Sequence, residues 1–304
     1  VLIPQQTPVL QQINESFLAE REVILYLKRE DLIHPLVSGN KWRKLKYNLL
    51  EAKKSDYSKI LTFGGAYSNH IHATAAAANY EGFESIGIIR REENLPLNET
   101  LQFATDQGMK LHYVSRSEYR NKTESDFLEN LKNRFGDFYH IPEGGSNALA
   151  VEGCMEIKES IDQNYQVICS PVGTGGTLAG LIASHDQTVD ILGFSALKGE
   201  GFLDQEVNNL LSSRTIKSKW KINYDYHFGG YAKIKPELIE FINVFHSKHE
   251  IALDPIYTGK MMFGLYDLIS KGDFEKGTTI IALHTGGLQG IKGIEGRYHI
   301  KLPK

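Results

Sequence analysis

An α/β protein organised around parallel sheets is what this 304-residue sequence predicts. Three observations lead there. Short apolar runs alternate with helix-period segments along most of the chain, several runs end in Gly-rich turns, and no linker, repeat or low-complexity stretch breaks the alternation. The length suits one large or two medium domains. A composition of 41% hydrophobic and 23% charged residues is that of an ordinary globular chain.

Taken in order, the run VILYL at 23–27 reads as a buried strand, and Trp42, Leu45, Leu49 and Ala52 recur at helical spacing over 42–54. ILTF (60–63) predicts the next strand and an alanine-rich stretch, 70–80, the next helix. Strands follow at 85–89, 111–114, 138–141, 167–170, 191–194 and 279–283, each short, apolar and bounded by turn residues. Helices fall between them at 99–107, 124–134, 148–161, 178–183, 237–248 and 261–270.

With 34 basic against 37 acidic residues and no basic block, the chain lacks the electrostatic footprint of a nucleic-acid binder. Cys154 and Cys169 have no metal-ligand or redox-motif spacing and read as structural thiols of a reducing compartment. No run of ~18 apolar residues suggests a membrane span, and the beginning, VLIPQQTPVL, has neither the charged nor the apolar region of a secretory signal. A cytoplasmic setting is the expectation.

In open parallel sheets ligands gather at the carboxyl ends of strands. Four predicted strands end in GGAYSNH (64–70), PEGGSN (142–147), PVGTGGTLAG (171–180) and HTGGLQG (284–290). In the third, Gly173, Thr174, Gly175, Gly176 and Thr177 bring backbone N–H groups, two hydroxyls and a helix N-terminus to one point, a cradle for one phosphate. The missing G-K-[ST] excludes a triphosphate P-loop. The same glycines are also compatible with a tight turn packed for its own sake. Ser68, Asn69 and His70 head the alanine-rich helix, where small residues allow a close approach to a ligand; an ordinary N-cap uses the same residues. His70 and His72, two apart, are poorly placed as a metal pair.

In VSGNKWRKL (37–45), Lys41 begins a helix at its positive end, where acidic residues are normally favoured. As an isolated residue it could be a solvated side chain. Its order among the other motifs changes that. LKREDLIHPLVSGNKWRKL, GGAYSNH, GTGGTLAG, GGYAKIKPE, DPIYTGKMMFGL and ALHTGG together resemble the pyridoxal-phosphate enzymes of the tryptophan synthase β-type fold (fold type II), and within them the 1-aminocyclopropane-1-carboxylate deaminase and D-cysteine desulfhydrase family. The likeness runs from about Leu25 to Gly287.

The resemblance implies two open, twisted parallel-sheet domains: a small α/β domain at 45–150 inserted in a large one formed by 1–44 and 151–304, with the cofactor in the cleft. It implies that pyridoxal 5′-phosphate is held covalently by Lys41, contacted at its ring hydroxyl by Asn69, and held at its phosphate by Gly173 to Thr177. Ser68, Asn69 and His70 would receive the substrate carboxylate, and Tyr231 and Tyr257 would face substrate and ring. On its residues alone, Tyr257 reads more readily as a core tyrosine beside a Pro turn. A Schiff-base lysine must be deprotonated to attack, and the position of Lys41, by a helix N-terminus and away from acids, favours that form. Arg43 and Lys44 read as plain solvated helix residues.

Two positions depart from the deaminase branch: Thr258 stands where Glu is typical, and Thr285 where Leu is. Thr285 is the expected contact of the pyridine nitrogen. A hydroxyl there cannot hold the nitrogen protonated as a carboxylate would, which makes the ring a weaker electron sink. That favours D-cysteine desulfhydrase-like β-elimination of a small amino acid over cyclopropane ring opening, and a homodimer is implied by the family. The alternatives are 1-aminocyclopropane-1-carboxylate deamination, a serine or threonine dehydratase or cysteine synthase of the same fold, and a non-enzymatic binder of a phosphorylated metabolite.

Overall fold

A computed structural model describes residues 3–92 and 96–304; the first two residues of the VLIPQQTPVL start, and residues 93–95, lie outside it. In chain order the elements are β1 (Leu10–Ile13), α1 (Ser16–Glu20), β2 (Ile24–Lys28), α2 (Asn40–Lys54), β3 (Lys59–Gly65), α3 (Asn69–Glu81), β4 (Glu84–Arg90), α4 (Glu99–Asp106), β5 (Met109–Val114), α5 (Arg116–Arg120), α6 (Ser125–Phe135) and β6 (Tyr139–Ile141). They continue with α7 (Ala148–Glu159), β7 (Val167–Val172), α8 (Gly176–Ser184), β8 (Asp190–Ser195), α9 (Phe202–Leu211), β9 (Lys219–Asn223), α10 (Pro236–His249), α11 (Thr258–Lys271), β10 (Thr279–Leu283) and α12 (Ile291–Tyr298).

The strands form two sheets. One has six strands in the order β1-β2-β10-β7-β8-β9, and the other four in the order β5-β4-β3-β6. The four-stranded sheet is parallel throughout. The six-stranded sheet is parallel except at one edge, where β1 pairs antiparallel with β2, Leu10 opposite Lys28 and Ile13 opposite Leu25. The expected parallel sheets are thus present, with one antiparallel edge strand, β1. That strand and β9 escaped the apolar pattern because both are edges, LQQI and KWKIN, with one flank unpaired and polar residues interleaved.

Strand alternation assigns the two faces of the large sheet. Ile280 and Ala282 of β10 pack with α10, α11 and α12, whereas Ile281 and Leu283 face α7, α8 and α9. In the small sheet Ile60 faces α2 and α3, and Leu61 the α6 side. Alanines 73, 75, 76, 77 and 78 are buried and let α3 lie close to β3 and β4.

The topology places the cavity. In the large sheet the chain runs outward from β7 through β8 and β9, while β10 lies on the other side of β7; in the small sheet β4 and β5 lie on one side of β3 and β6 on the other. Each sheet therefore has one point where successive connections diverge, leaving a crevice at the strand ends. The four strands at those two points, β3, β6, β7 and β10, are the four that end in the Gly-rich turns.

Helix α2 joins the two halves. A Cβ on Gly153 of α7 would stand 2.0 Å from the backbone oxygen of Arg43, so only glycine permits this helix contact. Arg43 itself is buried, its guanidinium bidentate on Glu30 at 3.0 and 3.2 Å and 3.4 Å from Glu156. This corrects the reading of Arg43 as solvated: the sequence shows a charge but not its distant partner. Removing Glu30 leaves the buried guanidinium only its longer contact with Glu156, so Glu30→Gln should destabilise the protein by about 3 kcal/mol, and Glu30→Leu combined with Arg43→Met should recover much of that loss. Urea unfolding midpoints check both.

Candidate active site

The crevice between the sheets holds a cavity of about 750 Å³. Turns after β3, β6, β7 and β10 and the first turn of α2 supply its inner wall. Gly39 precedes α2 with φ 65°, and a Cβ there would sit 2.0 Å from the Thr285 carbonyl oxygen. Glycine is required here by both conformation and space. This contact sets the start of α2 against the turn after β10, and the next residue but one is Lys41.

Lys41 is half-buried, with Nζ 3.5 Å from the Gly144 carbonyl oxygen. Burial pushes its amine well below the ordinary lysine range, and the neighbouring Lys44 cation pushes it further. The neutral amine is thus easier to reach than in an ordinary lysine.

Lys44 was read from sequence as solvated; it is 2% exposed and central. Its Nζ lies 3.2 Å from the Gly144 oxygen, 3.0 Å from Ser146 Oγ and 3.4 Å from Thr174 Oγ1. Ser146 and Thr174 hydroxyls are 2.5 Å apart. The ammonium therefore ties the PEGGSN turn to the GTGGT turn. The available signal was spacing, since Lys44 is one helical turn from Lys41 and shares its face. Burial lowers the Lys44 pKa to about 8.

Beside Lys44, α8 begins with Gly175 at φ 79° and no side-chain cap, which leaves the first-turn N–H groups of Gly176 and Thr177 for a ligand. The Asn40 amide donates to Thr177 Oγ1 at 2.9 Å. Gly173 is held close to Tyr257, where a Cβ would meet the phenol ring at 3.0 Å. A helix end, two hydroxyls and one buried ammonium make a strong site for a single dianion.

The head of α3 supplies the opposite side. Ser68 Oγ accepts from the backbone N–H of His70 and Ile71 at 3.2 and 3.3 Å, the N-cap that the sequence left open, while its own hydroxyl proton stays available. The Asn69 amide crosses to the turn after β10, 2.7 Å from where a Gly287 Cβ would be. The His70 ring points the other way: Nε2 is 2.7 Å from Thr62 Oγ1, and burial, with the Lys41 and Lys44 charges, drives its pKa well down. His72 is stacked on Phe103 at 3.8 Å.

Tyr257 and Tyr231 meet edge to face at 6.2 Å. Burial, then Tyr231 and Asp254, raise the Tyr257 pKa well above its usual value, so it is a phenol at any ordinary pH. Tyr231 is 40% exposed, at the outer part of the cavity lining. Asp254, buried, holds the whole turn: one oxygen accepts from the N–H of Ile256 and Tyr257 at 3.0 and 2.8 Å, the other from Thr258 at 2.8 Å. Thr258 Oγ1 lies 3.5 Å from Thr285 Oγ1. On the other side of Thr285, His284 Nε2–H donates to Ala252 O, 2.7 Å away, and Nδ1 accepts from Gly286 N–H at 3.2 Å.

The sequence model of the pyridoxal-phosphate dependent enzyme family matches residues 2–286. The chain belongs to that family. A Pyrococcus furiosus protein provisionally named 1-aminocyclopropane-1-carboxylate deaminase is 33% identical over 306 residues, covering 95% of this chain and 92% of that one. The mitochondrial bifunctional D-cysteine desulfhydrase/1-aminocyclopropane-1-carboxylate deaminase of Arabidopsis thaliana is 31% identical over 292 residues, covering 88% and 73%. The crystal structure of an ACC deaminase homologue superposes with a TM-score of 0.84 at 28% identity, over 95% of this chain and 92% of that one.

The residues fit the family's cofactor, pyridoxal 5′-phosphate. A buried amine of lowered pKa suits its aldehyde, and an uncapped helix N-terminus beside a buried ammonium suits its phosphate. The anion site can be tested without the cofactor. Sulfate, whose charge is constant with pH, should bind the cofactor-free protein with an affinity that falls as pH rises above about 8, where Lys44 loses its proton. Lys44→Gln should weaken binding about tenfold and flatten that pH dependence; calorimetric titration measures both.

Proposed function

We propose that this pyridoxal-phosphate-dependent enzyme is a deaminating lyase that performs D-cysteine desulfhydrase-like β-elimination on a small amino acid, giving pyruvate, ammonia and hydrogen sulfide. The observation that carries the reading is the pair of buried hydroxyls, Thr258 and Thr285, at 0% and 7% exposure and 3.5 Å apart. The nearby carboxylate, Asp254, has both oxygens committed to backbone N–H groups. Thr285 is assigned to the pyridine nitrogen, which then meets a neutral partner.

Pyridoxal 5′-phosphate supplies an aldehyde that takes up amines and a ring that draws electrons from the carbon bearing the nitrogen. Around it, Lys44, Gly173, Thr174, Gly175, Gly176 and Thr177 hold the phosphate, and Asn69 the ring hydroxyl. The free hydroxyl proton of Ser68, with the Asn69 amide, binds the substrate carboxylate; the His70 ring is turned away and contributes through its place in the capped turn. Lys41 Nζ, in its neutral form, accepts the Cα proton. Tyr257 stays protonated and donates a hydrogen bond toward the departing group, with Tyr231 beside it. Loss of the β-substituent leaves an enamine that water converts to pyruvate and ammonia.

The homodimer and cytoplasmic setting implied by the resemblance belong to the same proposal. Cys154 and Cys169 are free and buried, and among the described residues no helix is long and apolar enough to cross a membrane.

Lys41→Ala should remove the borohydride-sensitive visible absorbance and reduce turnover by at least about 10²–10⁴-fold, the range for a positioned proton acceptor. Incubation with D-cysteine, L-cysteine and 1-aminocyclopropane-1-carboxylate, followed by identification of the keto acid, tests the reaction. Pyruvate with sulfide is expected; 2-oxobutanoate as the main product overturns the reading in favour of ring opening.

A further inference from the structure

Six cations border the outer part of the cavity. Arg90 and Arg91 stand at and just past the carboxyl end of β4, Arg116 and Arg120 lie on α5 with Lys122 two residues beyond, and Arg297 comes from α12 on the large-sheet side. Among the described residues, the single carboxylate in the lining is Glu143, 3.4 Å from Lys122. Among the described residues, none of the five arginines forms an ion pair. In a chain whose formal net charge is −3, this is a concentrated local excess of the opposite sign.

The excess is larger than the expected occupants need. Eight lysines and arginines line the cavity. Even with Lys41 left out of the count, Glu143, a phosphate dianion and one substrate carboxylate balance four of the other seven, which leaves about three positive charges unmatched among the described residues. Part of the rim is also fixed in place. Tyr119, 3% exposed, carries the Arg90 guanidinium 5.5 Å from its ring and the Lys122 ammonium 5.2 Å from it. The Arg90 guanidinium hangs over Gly65, 3.6 Å from a Cβ built there, at the turn that leads to Ser68. It is close enough to favour the ionised form of the Tyr231 hydroxyl.

We propose that this arginine rim, with Arg90 as its inner member, selects amino acids whose β-substituent is itself acidic, a phosphate ester or a sulfonate. The proposal rests on the β-elimination reading and names its substrate class. The Cα proton passes to Lys41, the Cβ–X bond breaks with its electron pair going to X, and the enamine takes up one water. The sum is amino acid plus water giving pyruvate, ammonia and phosphate or sulfite, with no external oxidant or reductant. Guanidinium groups suit this task, since they bind oxyanions bidentately and remain charged throughout. The departing group gains negative charge as the bond breaks, so the same rim stabilises it more in the transition state than in the bound substrate.

The test compares kcat/KM of the holoenzyme for O-phosphoserine and cysteate with that for uncharged β-chloroalanine, in both enantiomers, by pyruvate release. Wild-type enzyme should prefer an acidic substrate by about tenfold at low salt, with the preference shrinking as ionic strength rises. In Arg90→Gln/Arg120→Gln the ratio of acidic to uncharged kcat/KM should fall about tenfold, the loss expected for one charge-assisted contact. Binding of unreactive 3-sulfopropanoate, followed by calorimetry, should weaken in parallel. A wild-type preference for β-chloroalanine, or a ratio and a sulfopropanoate affinity unchanged by the double substitution, overturns the proposal. If no substrate yields pyruvate while sulfopropanoate binding still depends on the arginines, the reaction assignment fails and the acidic-ligand rim stands.

Discussion

Two lysine amines one helical turn apart, one half-buried and one buried, with no carboxylate beside them, are the constraint around which this molecule is arranged. Charges of like sign in a poorly solvated space repel, and the ordinary remedy, an acidic neighbour, is missing. The protein settles the matter asymmetrically. Lys41 gives up its proton more readily, while Lys44 holds its own through a carbonyl and two hydroxyls. The remaining positive character, with the uncapped start of α8, is a standing demand for an anion. A nucleophile and an anion receptor thus arise from one local imbalance.

Sheet topology makes that imbalance sustainable. Divergence of the connections beside β7 and beside β3 opens two crevices, and α2, locked to α7 at Gly153, brings both lysines to where they face one another. Four glycine-rich turns close around the space because each follows a strand next to a divergence. Apart from Tyr231, which comes from the segment between β9 and α10, the groups described there sit within a few residues of a strand end or a helix start, where the backbone is well fixed.

Much of this was legible in the sequence. The eight apolar strands, the four turns and the awkward lysine at residue 41 are local patterns, written in consecutive residues. What was not legible depends on distant contacts. Arg43 and Lys44 look alike in WRKL, yet one ends on Glu30 and Glu156 and the other on Gly144, Ser146 and Thr174. The edge strands β1 and β9 are too polar to announce themselves, α9 and α12 start after glycines rather than after a recognisable cap, and the inward turn of His70 follows from Thr62, eight residues earlier on another element. PEGGSN was visible as a turn, but its part in holding Lys44 required the fold.

Asp254 shows how far from the ligand such control can sit. One hidden carboxylate, grasping three consecutive amides, dictates the pose of the aromatic ring at 257 and the hydroxyl at 258 together. These two groups are therefore not independently adjustable: whatever loosens that grip shifts both at once, as though two distinct lesions had been introduced. Any survey that ranks positions by nearness to bound molecules would overlook residue 254, although it governs the architecture of half the pocket floor.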